Sequence, residues 1–446
     1  MKIHMKIYKK FENIIKFSFF LLLFFSMCFA RPFVGIYILG FRLGEFIILA
    51  SLLASLIVLF SKKDNLVTYL NDAQYISYKL ILISFLPIAL ISNSNLLSTY
   101  AYKTSSYIWS ISFLFIGSLL LDKKFFNSSY SKLFLLTPLV VYVISTGNYP
   151  NFVIDFFREN SDKFQFIKAS DAFLVYLSIN FLNRFISSSE NNRLLYFTIS
   201  SGLYLPFLLT QSRGSAVGAL LYIFFEIHNS RKYIFKEKKS SLVFVLLFSL
   251  LFIFSSYRVN GVDFSTRETE PIISVGAVSS NVTEVLEKKE TIQAFLSFYL
   301  KEGRIASTDE TTDWRLDIWQ DVVEDLNTKN QILIGYGYKE IIPVMTDPSA
   351  PGRLGRDGLN ENVHNYFVNI LARGGLIQLF IFLVFHGSLI YYWYQKNNNF
   401  KILAYILPSF FVSSLDVTME GVQYPMIYYS FLAHFIFHRD DIKLLQ

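Results

Sequence analysis

Three polar residues, Arg213, Arg315 and His364, stand out in a chain that is otherwise strongly apolar. Arginine presents a planar, permanently charged fork that matches phosphate oxygens. Histidine is the side chain whose unperturbed pKa suits proton abstraction near neutral pH. Two arginines and one histidine on the same side of a membrane could therefore hold a pyrophosphate and activate an attacking hydroxyl.

Each of these residues also has a structural interpretation when it is taken alone. An arginine at the end of a membrane span, such as Arg213, usually extends to the interface. Arg315 has Asp317 and Asp321 nearby on the same predicted helix, which suits a surface ion pair. A single histidine usually forms an ordinary hydrogen bond. The functional interpretation therefore depends on whether the fold brings the three residues together.

The composition predicts an all-α polytopic membrane protein. Of the 446 residues, 53% are hydrophobic and 17% are charged, which is too apolar for a single soluble core. The formal charge of +7 sets orientation in such a protein, so we expect no nucleic-acid partner. Cys28 is the only cysteine, which excludes an intramolecular disulfide and a Cys-based metal site. No metal-binding motif is present, and we expect neither a metal nor a cofactor.

Apolar runs predict about twelve transmembrane helices. The first, within Met1 to Ala30, imitates a signal peptide, but we expect it to be retained because Pro32 and a second apolar run follow. The predicted spans are 13–30, 33–60, 76–92, 104–121, 132–146, 170–188, 194–211, 214–229, 241–256, 365–393, 400–416 and 421–437.

The distribution of Lys and Arg predicts the orientation of these spans. Lys62 and Lys63, Lys123 and Lys124, and the group from Arg231 to Lys239 all fall in loops on one side, which we assign to the cytoplasm. The long polar segment then lies outside. The predicted organisation is nine spans in 1–256, an outside loop subdomain in 257–364, and three spans in 365–446.

The long loop has the pattern of a small, partly helical unit. A capping box at Asn281 predicts a helix through Leu300 that Gly303 closes. Apolar residues at helical spacing predict a second helix from Asp313 to Asn327. The segment from Pro348 to Asn362 is rich in Gly and Pro and predicts a flexible lid or linker.

Three short motifs in this order resemble the O-antigen ligase and polymerase family of bacterial envelope glycosyltransferases. They are Ser-Arg-Gly at Ser212 to Gly214, Trp-Arg-Leu-Asp-Ile-Trp at Trp314 to Trp319 followed by Ile-Gly-Tyr-Gly at Ile334 to Gly337, and His364-Asn365 followed by Gly374-Gly375. The match is best from about Leu209 to Gly375. Each motif is degenerate alone, but the ordered set is fairly specific.

The resemblance implies a GT-C-like fold in the bacterial inner membrane, with the long loop and the active site facing the periplasm. It implies that Arg213 and Arg315 bind the pyrophosphate of an undecaprenyl-diphosphate-linked glycan and that His364 activates an acceptor hydroxyl. Lipid A core sugar is the expected acceptor (ligase), and a growing glycan is the alternative (polymerase). Fixed arginines would balance the charge of the leaving group, so the transfer would be metal-independent and inverting.

The sequence departs from the family at Arg373, where relatives often carry an acidic residue. Arg373 would then be either a third pyrophosphate contact or a structural charge. A required carboxylate would come from Glu361, Asp416 or Glu420. Asn365, next to the histidine, is a further possible supporting residue.

Two functions of other classes compete with the transferase. A transporter of lipid-linked glycans would be expected to have paired broken helices in two repeats, whereas the informative residues of this chain crowd into one half. A non-catalytic envelope scaffold would use the long loop to bind partners. Both alternatives predict that His364 is dispensable for chemistry.

Overall fold

The structure is a computed structural model, and it describes residues 2–60, 72–96, 98–121, 129–146, 149–162, 167–260, 297–338, 341–350, 352–354, 361–416 and 418–437. Within these ranges the chain is mostly helical, with two short antiparallel hairpins, as the predicted fold class requires. The predicted loop helix that begins at Asn281 falls largely outside the described residues.

The N-terminal half consists of thirteen helices among the described residues, with one hairpin after the first helix. The elements are α1 (Lys2–Val34), β1 (Tyr37–Ile38), β2 (Phe41–Arg42), α2 (Leu43–Phe60), α3 (Asp72–Ile91), α4 (Thr99–Thr104), α5 (Ser106–Trp109), α6 (Ser112–Leu120), α7 (Ser129–Phe134), α8 (Thr137–Thr146), α9 (Asn151–Asn160), α10 (Ala169–Ile186), α11 (Glu190–Gln211), α12 (Arg213–Lys236) and α13 (Lys238–Asn260).

The C-terminal half begins with a second hairpin and ends with three apolar helices. Its elements are β3 (Phe298–Lys301), β4 (Arg304–Ser307), α14 (Glu310–Thr328), a 3-10 turn (Pro343–Thr346), α15 (Tyr366–Asn397), α16 (Leu403–Ser413), a 3-10 turn (Thr418–Glu420) and α17 (Gln423–Phe437).

Among the described residues, four helices are long and apolar enough to cross a membrane. They are Glu12–Val34, Glu190–Gln211, Lys238–Val259 and Tyr366–Asn397; a fifth candidate is the pair Lys132–Thr146 and Asn151–Asn160, which is bent by 89°. Shorter apolar helices occupy the second, third, fourth and eleventh predicted spans. The count of twelve is thus not confirmed by length and composition and stays a prediction.

Helix α10 shows why the criterion of length and apolar composition does not recognise some of the predicted spans. It is mostly buried, and its polar residues face other helices, so its sequence carries groups that a lipid-facing helix would avoid. Arg184 of α10 donates to Glu226 of α12, whose side chain is almost fully buried, and Arg193 of α11 pairs with both Glu226 and Glu190. Two arginines and two glutamates thus join three helices with no net charge.

The loop subdomain is organised around α14. Ile318, Val322 and Leu326 recur at helical spacing on α14 and are fully buried, and burial of side chains of this size stabilises the fold by about 1.5–3 kcal/mol each. Their cluster includes Leu371 and Ala372 of α15. The loop therefore shares its core with the first turns of the following helix. This helix was predicted from Asp313 to Asn327, and the structure confirms it within a few residues.

The prediction that a helix continues through Leu300 is wrong. Phe298–Lys301 is a strand that pairs with Arg304–Ser307. Glu302 and Gly303 both have positive φ, 51° and 82°, which is the two-residue turn that antiparallel strands favour. Gln320 of α14 donates to the Ile305 carbonyl and accepts from the Ile305 amide, which fixes the hairpin against the helix.

Helix α15 is broken at Gly375, and the loop fills the break. Gly375 has a φ of +65°, and a side chain there would collide with the backbone of Leu333. The segment that contains Leu333 supplies the backbone partners that the break leaves free: Leu376 N donates to the Ile332 carbonyl at 2.9 Å, and Tyr336 N donates to the Ala372 carbonyl at 2.7 Å. The Ile-Gly-Tyr-Gly and Gly-Gly motifs are therefore one structural unit.

Candidate functional site

A cleft of about 310 Å³ lies where four parts of the chain meet. These are the start of α10, the junction of α11 and α12, the loop subdomain, and the end of α16. The lining residues are Lys168, Ser170, Gln211, Ser212, Gly214, Ser215, Arg315, His364, Val412, Leu415 and Asp416. The fold thus brings Arg315 and His364 to one cavity, as the functional interpretation of the sequence requires.

Arg315 extends from α14 into this cleft. Burial lowers the pKa of its guanidinium, and Asp416 and Asp309 oppose that effect. Its Nε is buried and has no hydrogen-bond partner among the described residues. Arginine remains protonated despite such a shift, so the cleft contains a partly buried positive charge whose Nε donor has no partner among the described residues.

His364 is held in a strained backbone conformation by its neighbours. Its φ is +52°, which is uncommon for a residue with a side chain. The indole Nε1 of Trp319 donates to the Val363 carbonyl at 2.6 Å, and the Asn365 side chain caps α15 by accepting from Phe367 N and Val368 N. The backbone on both sides of His364 is therefore fixed, and the imidazole packs against Trp314, with 5.4 Å between ring centroids.

The environment keeps the imidazole neutral. Burial, then Arg315 and Lys168, lower the pKa of His364 to about 4, while Asp416 acts in the opposite direction. A neutral imidazole at physiological pH is the form of histidine that can accept a proton. Asp416 also accepts a hydrogen bond from Ser170 at 3.1 Å, which connects it to the start of α10.

Arg213 lies beside the cleft but is not among its lining residues. Its Nη1 forms an ion pair with Asp309. Asp309 is the N-cap of α14 and accepts from Thr312 N at 2.8 Å. Although burial acts to raise the pKa of Asp309, the hydrogen bonds from Thr312 and Arg213 bring it below its ordinary value. The first residue of α12 is thereby joined to the first turn of the loop helix.

Arg373, Glu420 and Glu361 form a second group away from the lining of the cleft. Arg373 is buried and donates to the Gly337 carbonyl at 3.3 Å and to the Tyr100 hydroxyl at 3.2 Å. Burial raises the pKa of Glu420 to about 8 although Arg373 favours its ionised form. Glu361 pairs with Lys103 at 3.1 Å. A role for these residues in binding or catalysis stays a prediction.

Sequence reasoning missed three residues at this site. Asp309 could have been recognised as an N-cap three residues before Thr312. Ser215 follows Arg213 closely enough to share the first turn of α12 and the cleft. Lys168 gave no signal, because a lysine just before an apolar run is ordinary at a membrane border.

No cluster of three or more His, Cys, Asp or Glu residues that could hold a metal ion occurs within the ranges that the structure describes.

Residues 198–383 match the family model described as O-antigen ligase. This range contains Arg213, Arg315, His364 and Arg373. The match confirms the predicted relationship to the O-antigen ligase and polymerase family, whose members are membrane glycosyltransferases. No curated protein matches the chain.

Proposed function

Starting from the relationship to the O-antigen ligase family, we propose that this protein is a membrane glycosyltransferase that moves a glycan from undecaprenyl diphosphate to an acceptor hydroxyl. The reaction takes place on the periplasmic face of the bacterial inner membrane. The observation that carries the proposal is the cleft in which the Arg315 guanidinium and a neutral His364 imidazole lie together.

Arg315 binds the diphosphate of the donor. Its buried Nε has no partner among the described residues, and a phosphate oxygen would satisfy it. A charge-assisted hydrogen bond is stronger in a partly buried cleft than in water, and it becomes stronger still as negative charge grows on the leaving group. Fixed positive charge can in this way replace a divalent metal ion.

His364 acts as the general base. It takes the proton of the acceptor hydroxyl while the hydroxyl oxygen forms a bond to the anomeric carbon. The bond between that carbon and the phosphate oxygen breaks at the same time, and its electron pair leaves with the polyprenyl diphosphate. Attack opposite the leaving group inverts the anomeric carbon. The imidazolium that forms is stabilised by Asp416, whose charge favours a protonated His364.

Arg213 has a supporting role in this proposal. Its ion pair with Asp309 joins α12 to the helix that carries Arg315. Because Nη1 is engaged by Asp309, any contact with the diphosphate uses the remaining donors of the guanidinium. Arg373, buried against Gly337 and Tyr100, is better suited to holding the loop on α15 than to contacting phosphate.

The acceptor decides between two activities of the same family. We propose lipid A core sugar as the acceptor, which makes the protein a ligase; the end of a second lipid-linked glycan would make it a polymerase. A reconstituted assay with undecaprenyl-diphosphate glycan and a panel of both acceptor types distinguishes them. Flipping of the glycan across the bilayer without transfer would instead favour a transporter.

The same assay tests the assigned residues. We expect His364→Ala and Arg315→Gln to lose transfer by at least about 100-fold, which is the ordinary contribution of a general base or a charge-stabilising donor. His228→Ala is the matched control, because His228 is exposed on α12 and lies outside the cleft. Full turnover by His364→Ala would exclude the general-base role, and dependence on added divalent metal would exclude the account based on arginine alone.

A further inference from the structure

Two residues that no motif singled out, Lys168 and Ser215, line the cleft together with Arg315 and His364. Ser215 is 1% exposed, and its Oγ has no hydrogen-bond partner among the described residues. Leaving a buried hydroxyl unsatisfied costs about 1–3 kcal/mol. A hydroxyl kept in this condition on the wall of a cleft points to a ligand that satisfies it.

The backbone around Ser215 also favours an anion. Ser212 is the N-cap of α12 and accepts from Ser215 N at 3.3 Å. The amides of Arg213 and Gly214, in the same first turn, have no acceptor within the helix. The 24-residue helix places the positive end of its dipole at this point. Ser212 and Gly214 line the cleft beside Ser215.

Lys168 supplies a positive charge to the same cleft. It immediately precedes α10 and lines the cleft, and its side chain forms no hydrogen bond or ion pair with the residues that the structure describes. Arg213, by contrast, is already paired with Asp309. The cations that face the cleft without an ion-pair partner in the described chain are therefore Arg315 and Lys168.

We propose that Lys168, the Ser215 hydroxyl and the start of α12 form a second anion subsite, which binds one phosphate of the diphosphate while Arg315 binds the other. The proposal rests on the proposed function, since it assigns further binding residues to the same donor. A diphosphate has two charged groups, and a cleft with two separate sets of donors would select it over a monophosphate.

The test measures binding of two probes to the full-length protein in nanodiscs by calorimetry: inorganic pyrophosphate and a short-chain prenyl diphosphate. A prenyl monophosphate serves as the comparison ligand. We expect Ser215→Ala and Lys168→Gln each to weaken diphosphate binding about ten-fold or more, which is the ordinary contribution of a hydrogen bond to a charged group. Both variants should lose less affinity for the monophosphate, and Lys168→Arg should restore most of the diphosphate affinity.

Thermal unfolding separates a ligand-binding role from a structural one. Because the Ser215 hydroxyl has no hydrogen-bond partner among the described residues, Ser215→Ala should not lower Tm, whereas it should reduce the increase in Tm that pyrophosphate produces. Ser145→Ala is the matched control, since Ser145 is a buried serine of α8 whose hydroxyl is likewise unpaired among the described residues. Ser145→Ala should change neither the Tm of the protein nor the increase in Tm that pyrophosphate produces.

The outcomes distinguish this inference from the proposed function. Loss of diphosphate binding in Arg315→Gln, with wild-type binding in Ser215→Ala and Lys168→Gln, would overturn the second subsite and leave the proposed function standing. Absence of diphosphate binding by the wild-type protein would contradict the proposed function itself. Equal weakening by Ser145→Ala would show that the effect of Ser215→Ala does not come from a contact in the cleft, and would overturn the inference.

Discussion

Arg213 and Asp309 form an ion pair between the first residue of α12 and the N-cap of α14. The pair joins the first arginine motif to the helix that carries Arg315, so two motifs that are distant in sequence are fixed relative to each other. Arg213 is about one-third exposed, and pairs of this kind contribute up to about 1 kcal/mol to stability. The ion pair therefore matters more because it positions α14 relative to α12 than because it stabilises the fold.

Two substitutions of Asp309 separate the ion pair from the helix cap. Asp309→Ser keeps an oxygen for Thr312 N but removes the charge, so we expect Tm to be almost unchanged and transfer activity to fall several-fold because Arg213 loses its anchor. Asp309→Ala removes the cap as well, at a further cost of about 1 kcal/mol. Thermal unfolding and the transfer assay measure the two effects. Wild-type activity in Asp309→Ser would show that Arg213 needs no such anchor.

The decrease in activity at low pH, which is the acid limb of the pH–rate profile, should reflect protonation of the His364 imidazole. Since its pKa is about 4, the base remains neutral and active well below the usual histidine range, and kcat/KM should fall only as pH approaches 4. Arg315 and Lys168 lower this pKa, so Lys168→Gln should move the limb to higher pH. Asp416→Asn removes a group that raises it and should move the limb to lower pH. An acid limb near 6.5 that none of these changes moves would exclude His364 as its source.

Glu420 should make stability decrease as pH rises. Its pKa in the folded protein is about 8, above the ordinary value of 4.5, so between these values the folded state keeps a proton that the unfolded state releases. The stabilisation is complete below about pH 4.5 and is lost as pH rises through about 8. Glu420→Gln, which cannot ionise, should remove this slope in a series of unfolding measurements. A slope that is unchanged in Glu420→Gln would assign it to another group.

Arg353 should anchor the segment that the sequence predicts to be a flexible lid. Its buried guanidinium donates to the Val344 carbonyl at 3.1 Å and pairs with Asp317 and Asp321 of α14. Arg353→Gln should cost about 2 kcal/mol, between the values for exposed and buried pairs, and should speed proteolysis within 348–362. Arg304 pairs with the same two aspartates but is 40% exposed, so Arg304→Gln is the matched control, with an expected cost below about 1 kcal/mol. Equal losses of stability in Arg353→Gln and Arg304→Gln would contradict the role of Arg353 in holding this segment.

Substitutions at two glycines of α15 test whether the fold requires the break in this helix at Gly375. Gly375→Ala forces a side chain into a positive-φ position and against Leu333, so we expect a loss of at least about 2 kcal/mol. Gly387→Ala lies further along the same helix with open space around it, and it should stabilise the protein by up to about 1 kcal/mol. Thermal unfolding in detergent measures both. Similar changes in stability in the two variants would mean that the fold does not require the break at Gly375.

Local patterns predicted the parts of this protein that depend on neighbours in sequence. The apolar spacing of Ile318, Val322 and Leu326 predicted α14. The ordered motifs predicted that Arg213, Arg315 and His364 lie together; Arg315 and His364 line one cleft and Arg213 lies beside it, while their shared functional role stays a prediction. The sequence predicts a helix where the hairpin at Phe298 lies, because the contacts of the hairpin with Gln320 of α14 are tertiary and sequence spacing does not reveal them. Lys168 could not be recognised from the sequence, because a lysine before an apolar run is ordinary there and only the fold places it in the cleft.

The break at Gly375 has a consequence for how the protein is assembled. A span that enters the bilayer must satisfy its own backbone amides and carbonyls, yet around Gly375 those partners come from Ile332 and Leu333 in the loop. The loop precedes this helix in synthesis, so under the proposed orientation, with the loop in the periplasm, we expect the loop to be exported and at least partly folded before α15 reaches its final depth. That orientation would couple formation of the His364 end of the cleft to translocation of the loop, so a loop that folds slowly would delay maturation of the protein.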